Sequence, residues 1–404
     1  MTASSDALQR PRVKMKPKSN ARAIRHGFPW VYANELVTDR RTRKLAPGTL
    51  AVLEDEAQRP LGLVSVNPES KIIARMLDRD PEAVIDQAWF AARLSRALEM
   101  REQLYDAPFY RLVHAESDGL PGVVIDRFGA ACVVQPNAAW AEAHLDLLTA
   151  ALAEVTRAEV ILKNASGRTR GLEGLDDVNQ TLLGEAPAAP LPVVMNGATY
   201  MADLTGGQKT GLFFDQRENH AFAARLTAPG AKVLDVFSHV GGFGLAMLAG
   251  GAGQATCVDG SAAALDLAAQ GAEAAGVQDK FTARQGDAFD VLAALGEEGE
   301  TFDVVICDPP AFAPSKQALE AGLRAYERVA KLAAPLVKPG GYLGLCSCSH
   351  AADLSRFRNA SARGIGKAGR RGALIHTGYA GPDHPQLPQL AESGYLKAVF
   401  FRLD

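Results

Sequence analysis

The chain has 404 residues, 47% hydrophobic and 22% charged, an ordinary globular composition with length for two or three domains. A formal net charge of -3 carries no global nucleic-acid signature, and no apolar run reaches the roughly 20 residues of a membrane span. The polar, basic start lacks the apolar core of a signal peptide, so a cytoplasmic location is expected.

Short strands are predicted first, at residues 12–15, 30–32, 49–54, 60–66 and 72–76, broken by the turn pairs Pro47-Gly48 and Asn67-Pro68. This rhythm suits a small β-barrel ending near Asp80. The same stretch holds Arg10, Arg12, Lys14, Lys16, Lys18, Arg22, Arg25, Arg40, Arg41, Arg43 and Lys44 against only Glu35 and Asp39. Such a cluster either neutralises phosphates or forms a solvated rim. Ile85, Trp89, Phe90, Leu94, Leu98 and Leu104 then recur at helical spacing, placing a boundary helix over 81–105. Residues 110–191 alternate strand and helix: strands at 111–113, 123–125, 131–135 and 160–163, one helix over 139–156, and a linker at Pro187, Pro190 and Pro192.

From Val193 the pattern begins with a hairpin around Gly197 and a helix over 216–226. Strands at 232–236, 254–258, 281–285, 304–307 and 342–346 then alternate with helices at 243–249, 262–275, 288–295 and 317–332. The alternation predicts a mostly parallel sheet covered by helices on both faces. Two late strands, 373–376 and 395–403, suit an added antiparallel hairpin. The expected fold class is therefore α/β, with a small β-barrel at 1–80, a central α/β domain at 81–191 and a Rossmann-like domain at 192–404.

The turn after the 232–236 strand, Asp235-Val236-Phe237-Ser238-His239-Val240-Gly241-Gly242-Phe243-Gly244, opens the next helix with glycines that let backbone amides approach a ligand. Asp259 ends the following strand, where an acidic residue hydrogen-bonds ribose hydroxyls in doubly wound folds. Asp287 ends the third, where a carboxylate accepts from the amine of adenine; both acids also suit plain strand-end and helix-cap roles. The Gly-Gly-Phe-Gly spacing differs from nicotinamide fingerprints, so S-adenosylmethionine is the expected cofactor.

Five cysteines, Cys132, Cys257, Cys307, Cys346 and Cys348, are odd in number and lie mostly in apolar strand-like contexts, which argues for reduced thiols. No metal site is expected, because no second Cys/His cluster accompanies Cys346 and Cys348. A thiol at a strand end beside the cofactor fits methylation of pyrimidine carbon 5, which requires a thiolate to add at carbon 6. Cys348, further into the loop than Cys346, is the preferred nucleophile. Asp308, in Asp308-Pro309-Pro310-Ala311-Phe312, would bind the N3 and amine edge of cytosine, leaving Phe312 free to stack on a flipped base. His384 is either a further lining residue or a surface residue.

These motifs, in this order, resemble the bacterial large-subunit rRNA cytosine-5 methyltransferase I family. The resemblance spans nearly the whole chain: His26-Gly27-Phe28-Pro29-Trp30-Val31, Glu116-Ser117-Asp118-Gly119-Leu120-Pro121-Gly122, Ile125-Asp126-Arg127, Gly207-Gln208-Lys209-Thr210-Gly211 with Asp215-Gln216-Arg217, Phe237-Ser238, Asp308-Pro309-Pro310, Ser347-Cys348-Ser349 and Asp383-His384-Pro385. It implies an N-terminal PUA RNA-binding domain, a class I methyltransferase domain, 23S rRNA or a large-subunit precursor as partner, and Cys348 as the family cysteine. It also implies that Lys209 through Arg217, with Gln216 among them, close over the methionine end of the cofactor. Ala311 departs from the Lys or Thr of many relatives, and residues 359–371 match no named pattern. A guanine N-methyltransferase, which needs the acidic loop but no thiol, and an inert assembly factor are the rival readings. The oligomeric state, a homodimer among the options, is left open.

Overall fold

Leucine- and valine-rich runs separated by Pro-Gly and Asn-Pro turns form the first sheet of the computed structural model, which describes residues 10–206 and 211–404. The chain divides into two units, Met1–Ala186 with Asp383–Ser393, and Pro187–Pro382 with Gly394–Asp404. In the first, the strands β1 (Arg12–Lys14), β2 (Trp30–Val31), β3 (Thr49–Glu54), β4 (Pro60–Val66) and β5 (Ala74–Asp78) pair in the order β1-β3-β4-β5-β2. Because side chains alternate across a strand, Val64 and Val66 face a core with Val13, Ala51 and Leu53. Leu63 faces the other way, joining Leu77, Trp89, Phe90, Leu112 and Val123 in a second core.

That second core belongs equally to a sheet of β6 (Phe109–His114), β7 (Val123–Phe128), β8 (Ala131–Pro136), β9 (Val160–Lys163) and β10 (Gln180–Leu183), ordered β10-β9-β8-β7-β6. The boundary helix, Gln87–Leu104, starts at Asp86, whose carboxylate accepts from the Trp89 amide. The helix expected over 139–156 is two, Ala139–Ala143 and Leu145–Thr156, split at His144. His144 there leaves helical geometry (ψ 21°), and its ring lies 2.7 Å from the Trp140 carbonyl.

The second unit opens with a hairpin, β11 (Leu191–Met195) and β12 (Ala198–Ala202), closed by Asn196 and Gly197 at φ 54° and 76°, the left-handed pair a two-residue hairpin turn demands. Seven strands follow: β13 (Lys232–Val236), β14 (Gln254–Asp259), β15 (Phe281–Gln285), β16 (Phe302–Cys307), β17 (Val337–Ser347), β18 (Gly372–Tyr379) and β19 (Lys397–Leu403). Among the described residues they form one sheet, ordered β15-β14-β13-β16-β17-β19-β18. Strands β13 to β17 pair in parallel, and β19 pairs antiparallel with both β17 and β18. The strand order reverses between β13 and β16, the switch point at whose carboxyl edge doubly wound folds bind ligands. A helix the sequence pattern did not predict, Leu354–Lys367, packs against the Leu319–Ala333 helix through Phe357, Ala360 and Ile365. No helix of the described residues is long and apolar enough to cross a membrane.

Candidate active site

The carboxyl ends of β13, β14, β16 and β17 place Val236, Asp259, Cys307 and Ser347 along one edge of the sheet. Beyond β13 the backbone turns sharply: Phe237, His239 and Gly241 have φ of 62°, 49° and 79°. Positive φ at two non-glycine residues is stored strain, and such strain gathers at ligand-binding turns. Asp235 Oδ2 holds this turn by accepting from the Phe243 and Gly244 amides at 3.1 and 2.8 Å. Its Oδ1 is buried without a hydrogen-bond partner among the described residues. A Cβ on Gly244 would lie 2.4 Å from Cys257 Sγ, and one on Gly242 would lie 2.8 Å from His220 Nε2. Glycine is thus required here as much for packing beneath the turn as for approach to a ligand. Burial raises the Asp235 pKa to about 7.

Asp259 accepts from His239 and Ser261 amides, each at 2.8 Å, so one carboxylate joins the first turn to the second strand end. Asp287 is exposed and caps the Ala288–Glu297 helix, with Oδ1 accepting from the Phe289 and Asp290 amides. Ser238 is buried, and its backbone amide donates to the Val258 carbonyl. The cradle of strained turn, orphaned acid oxygen and successive strand-end carboxylates fits a cofactor that presents a cation and hydroxyl groups.

Asp308 follows β16, its amide donating to the Val236 carbonyl at 3.1 Å. Gln216, expected near the cofactor, donates from Nε2 to Asp308 Oδ2 at 2.9 Å and accepts from Asn219 Nδ2 at 2.6 Å. Arg217 is buried, with its guanidinium 5.7 Å from the Phe214 ring centroid. Phe312, expected to stand free, is half-buried in an aromatic cluster, with ring centroids 5.0 Å from Tyr326, 6.0 Å from Phe289 and 6.2 Å from Phe237.

Strand β17 ends at Ser347, and Cys348 lies past it, half-buried. Ser347 Oγ and Ser349 Oγ both meet the Tyr326 hydroxyl, at 2.9 and 2.7 Å, and Ser349 Oγ accepts from the Ala313 amide at 2.9 Å. The cysteine loop and the acidic loop are therefore laced together. Cys257, Cys307 and Cys346 are buried, and burial pushes each thiol well up.

Two expected residues are not in this group. Lys209 lies outside the described residues. His384 belongs to the first unit, 3% exposed, with Nδ1 2.9 Å from Asp383 Oδ1 and its ring 5.0 Å from that of His114. Sequence reasoning missed Asn219, His220, Tyr326 and Lys397. The one available signal was at Lys397, a lone cation opening an apolar strand.

A PUA-like domain family matches residues 13–79, and the S-adenosylmethionine-dependent methyltransferase family matches residues 143–402. The chain is 35% identical over 396 residues to ribosomal RNA large subunit methyltransferase I of Shewanella denitrificans, covering 97% of this chain and 99% of the relative. The protein of the same name from Cronobacter sakazakii is 35% identical over 384 residues, 94% and 96% of the two chains. A ribosomal RNA large subunit methyltransferase of Deinococcus radiodurans is 34% identical over 417 residues, 99% and 100% of the two chains. Among solved structures, a candidate SAM-dependent methyltransferase from Streptococcus mutans superposes with a TM-score of 0.81 at 19% identity, covering 97% of this chain and all of that one. A methyltransferase-like chain complexed with S-adenosylhomocysteine gives 0.81 at 20% identity, covering 97% and 99%. These two likenesses show a shared fold.

Proposed function

The chain belongs to the ribosomal RNA large subunit methyltransferase I family, with S-adenosylmethionine as its cofactor, and from that premise we propose that it methylates carbon 5 of a cytosine in 23S rRNA, free or within a large-subunit precursor, through a bond from Cys348 to carbon 6. The observation that carries this reading is the contrast among the thiols at the sheet edge. Cys307 and Cys346 are sealed and held protonated by burial, whereas Cys348 lies beyond the strand and is half-buried, and the thiolate is the reactive form.

The residues that would hold the cofactor are Asp235, Phe237, Ser238, Gly241 and Gly242 of the residue 235–244 turn, Asp259 and Asp287 for its ribose and adenine, and Gln216 and Arg217 at the start of the Arg217–Leu226 helix. When bound, S-adenosylmethionine supplies a methyl group made electrophilic by its sulfonium. Cys348 adds to carbon 6, moving the ring electrons toward carbon 5 and N3. Asp308, oriented by Gln216, meets the N3 and amine edge: it accepts from the amine and passes a proton to N3, which neutralises that charge. Carbon 5 then takes the methyl group, leaving S-adenosylhomocysteine; the C5 proton passes to a base not assigned to any residue, and the electrons of that C–H bond expel the Cys348 thiolate as N3 returns its proton to Asp308. Phe312 presents the edge of its aromatic cluster to the extruded base.

Cys348→Ala is expected to abolish methylation of 23S rRNA while S-adenosylmethionine still binds by titration calorimetry. RNA carrying 5-fluorocytosine, which cannot lose a proton from carbon 5, is expected to be trapped on Cys348. Methylation by Cys348→Ala at the parental rate would sink the covalent route and favour a guanine N-methyltransferase.

A further inference from the structure

Lys397 opens β19 ahead of the apolar run Ala398, Val399, Phe400 and Phe401, yet its own surface is only 6% exposed. Its position is fixed by strand register, opposite Ser347 of β17 on one side and Tyr379 of β18 on the other. That register sets the ammonium beside the loop that carries Cys348. Nζ donates to the Ser349 carbonyl at 2.6 Å and to the Tyr395 carbonyl at 2.9 Å. Both acceptors are neutral. A buried cation is destabilising when no anion balances it, and the charged groups that act on Lys397 are Cys348 and Asp353. Asp353 is exposed and occupied in capping the Leu354–Lys367 helix through the Arg356 amide at 2.8 Å.

We propose that Lys397 is the positioning residue for Cys348: it pins the Ser349 carbonyl so that the loop presents the Cys348 side chain, and its ammonium is the counter-charge for the Cys348 thiolate. This rests on the reading of Cys348 as nucleophile. Tyr326 of the Leu319–Ala333 helix also acts with Cys348, and its phenol, pushed up by burial, stays neutral. Burial lowers the Lys397 pKa to about 8. The ammonium is therefore charged at neutral pH, and its support for the thiolate is lost as pH rises through that value.

The test is the pH dependence of Cys348 alkylation by iodoacetamide, read by mass spectrometry on the Cys348 peptide, in the full chain and in Lys397→Met and Lys397→Arg. Lys397→Met is expected to slow alkylation at pH 7 about tenfold, one unit of thiol titration, and Lys397→Arg to restore it to within about twofold, since arginine keeps the charge. An unchanged profile in a Lys397→Met chain that melts like the parent would overturn the proposal. If that variant does not fold, the parent decides alone, because a midpoint at or above the ordinary thiol value of about 8.5 leaves no role for the ammonium. The two readings fail separately. Methylation retained by Cys348→Ala defeats the nucleophile, whereas an alkylation profile indifferent to Lys397 defeats the positioning role.

Discussion

Asp235 lies one residue before the end of β13 with 1% of its surface exposed, its Oδ2 holding two amides of the following turn and its Oδ1 enclosed without a partner among the described residues. Burial raises its pKa to about 7, with the charge of Asp259 adding to the rise and the two amides opposing it. In the unfolded chain an aspartate titrates near 3.9. Between those values the folded chain keeps a proton that the unfolded chain has lost, so stability contributed by Asp235 falls as pH rises from about 4 to about 7. Asp235→Asn cannot ionise and still accepts from the turn. In cofactor-free protein, the variant's melting temperature relative to the parent is expected to climb from pH 5 to pH 8, by the equivalent of a few kcal/mol. A difference that is flat over this range would show that the carboxylate is not destabilised by its site. Asp235 was legible in the sequence because a Gly-rich turn after a strand is a local signal. Asn219 was not, and Lys397 showed only as a cation at the head of an apolar strand, since their meaning comes from the Ser349, Tyr395, Gln216 and Tyr379 atoms they meet across the fold.

The Leu354–Lys367 helix shows the same limit for an element. Its buried positions, Phe357, Ala360, Ser361, Gly364 and Ile365, fall on one helical face, but three of the five are small, and a stripe of Ala, Ser and Gly reads as loop or linker. The smallness is what the packing needs. A Cβ on Gly364 would lie 2.4 Å from the Glu327 carbonyl oxygen and 2.6 Å from Ala330 Cβ on the neighbouring Leu319–Ala333 helix. Gly364→Ala gains up to about 1 kcal/mol of helix propensity and loses about 1–3 kcal/mol to overpacking. It is expected to lower the melting temperature by a few degrees. Gly366→Ala is the internal control, since a Cβ there meets nothing within 4 Å, and it is expected to leave stability unchanged or raise it. Equal effects at the two glycines would mean that the helices are not in close contact. The parallel strands, by contrast, were read well because continuous apolar runs between helical periods have few other interpretations.

Several motifs that carried the family resemblance are contacts inside the first unit. The Trp30 indole donates to Glu116, Arg101 grips Asp118 with paired bonds of 2.7 and 2.8 Å, and Asp383 accepts from the Arg111 amide while its carbonyl accepts from Arg101. A motif read for function can thus be recording a buried hydrogen-bond network, and the sequence alone does not separate the two. Each unit also holds a histidine whose pKa is driven down chiefly by burial. His114 falls to about 2, with His384, Arg111 and Arg101 adding to the shift, and His220 falls to about 3, with Arg217 adding. The unfolded chain gains a proton at each below pH 6.5 while the folded chain does not, so stability is lost as pH falls through that value. By pH 5 the loss reaches up to about 2 kcal/mol per histidine. Trp30, Trp89 and Trp140 all lie in the first unit, so tryptophan fluorescence follows that unit and far-UV circular dichroism follows the whole chain. His114→Gln is expected to move the fluorescence-detected acid midpoint downward, and His220→Gln to move the dichroism midpoint downward with a smaller change in fluorescence. If both substitutions left both midpoints in place, the buried imidazoles would have to be charged in the folded chain, and the low-pH limit would have to come from the carboxylates that hold the arginine networks together.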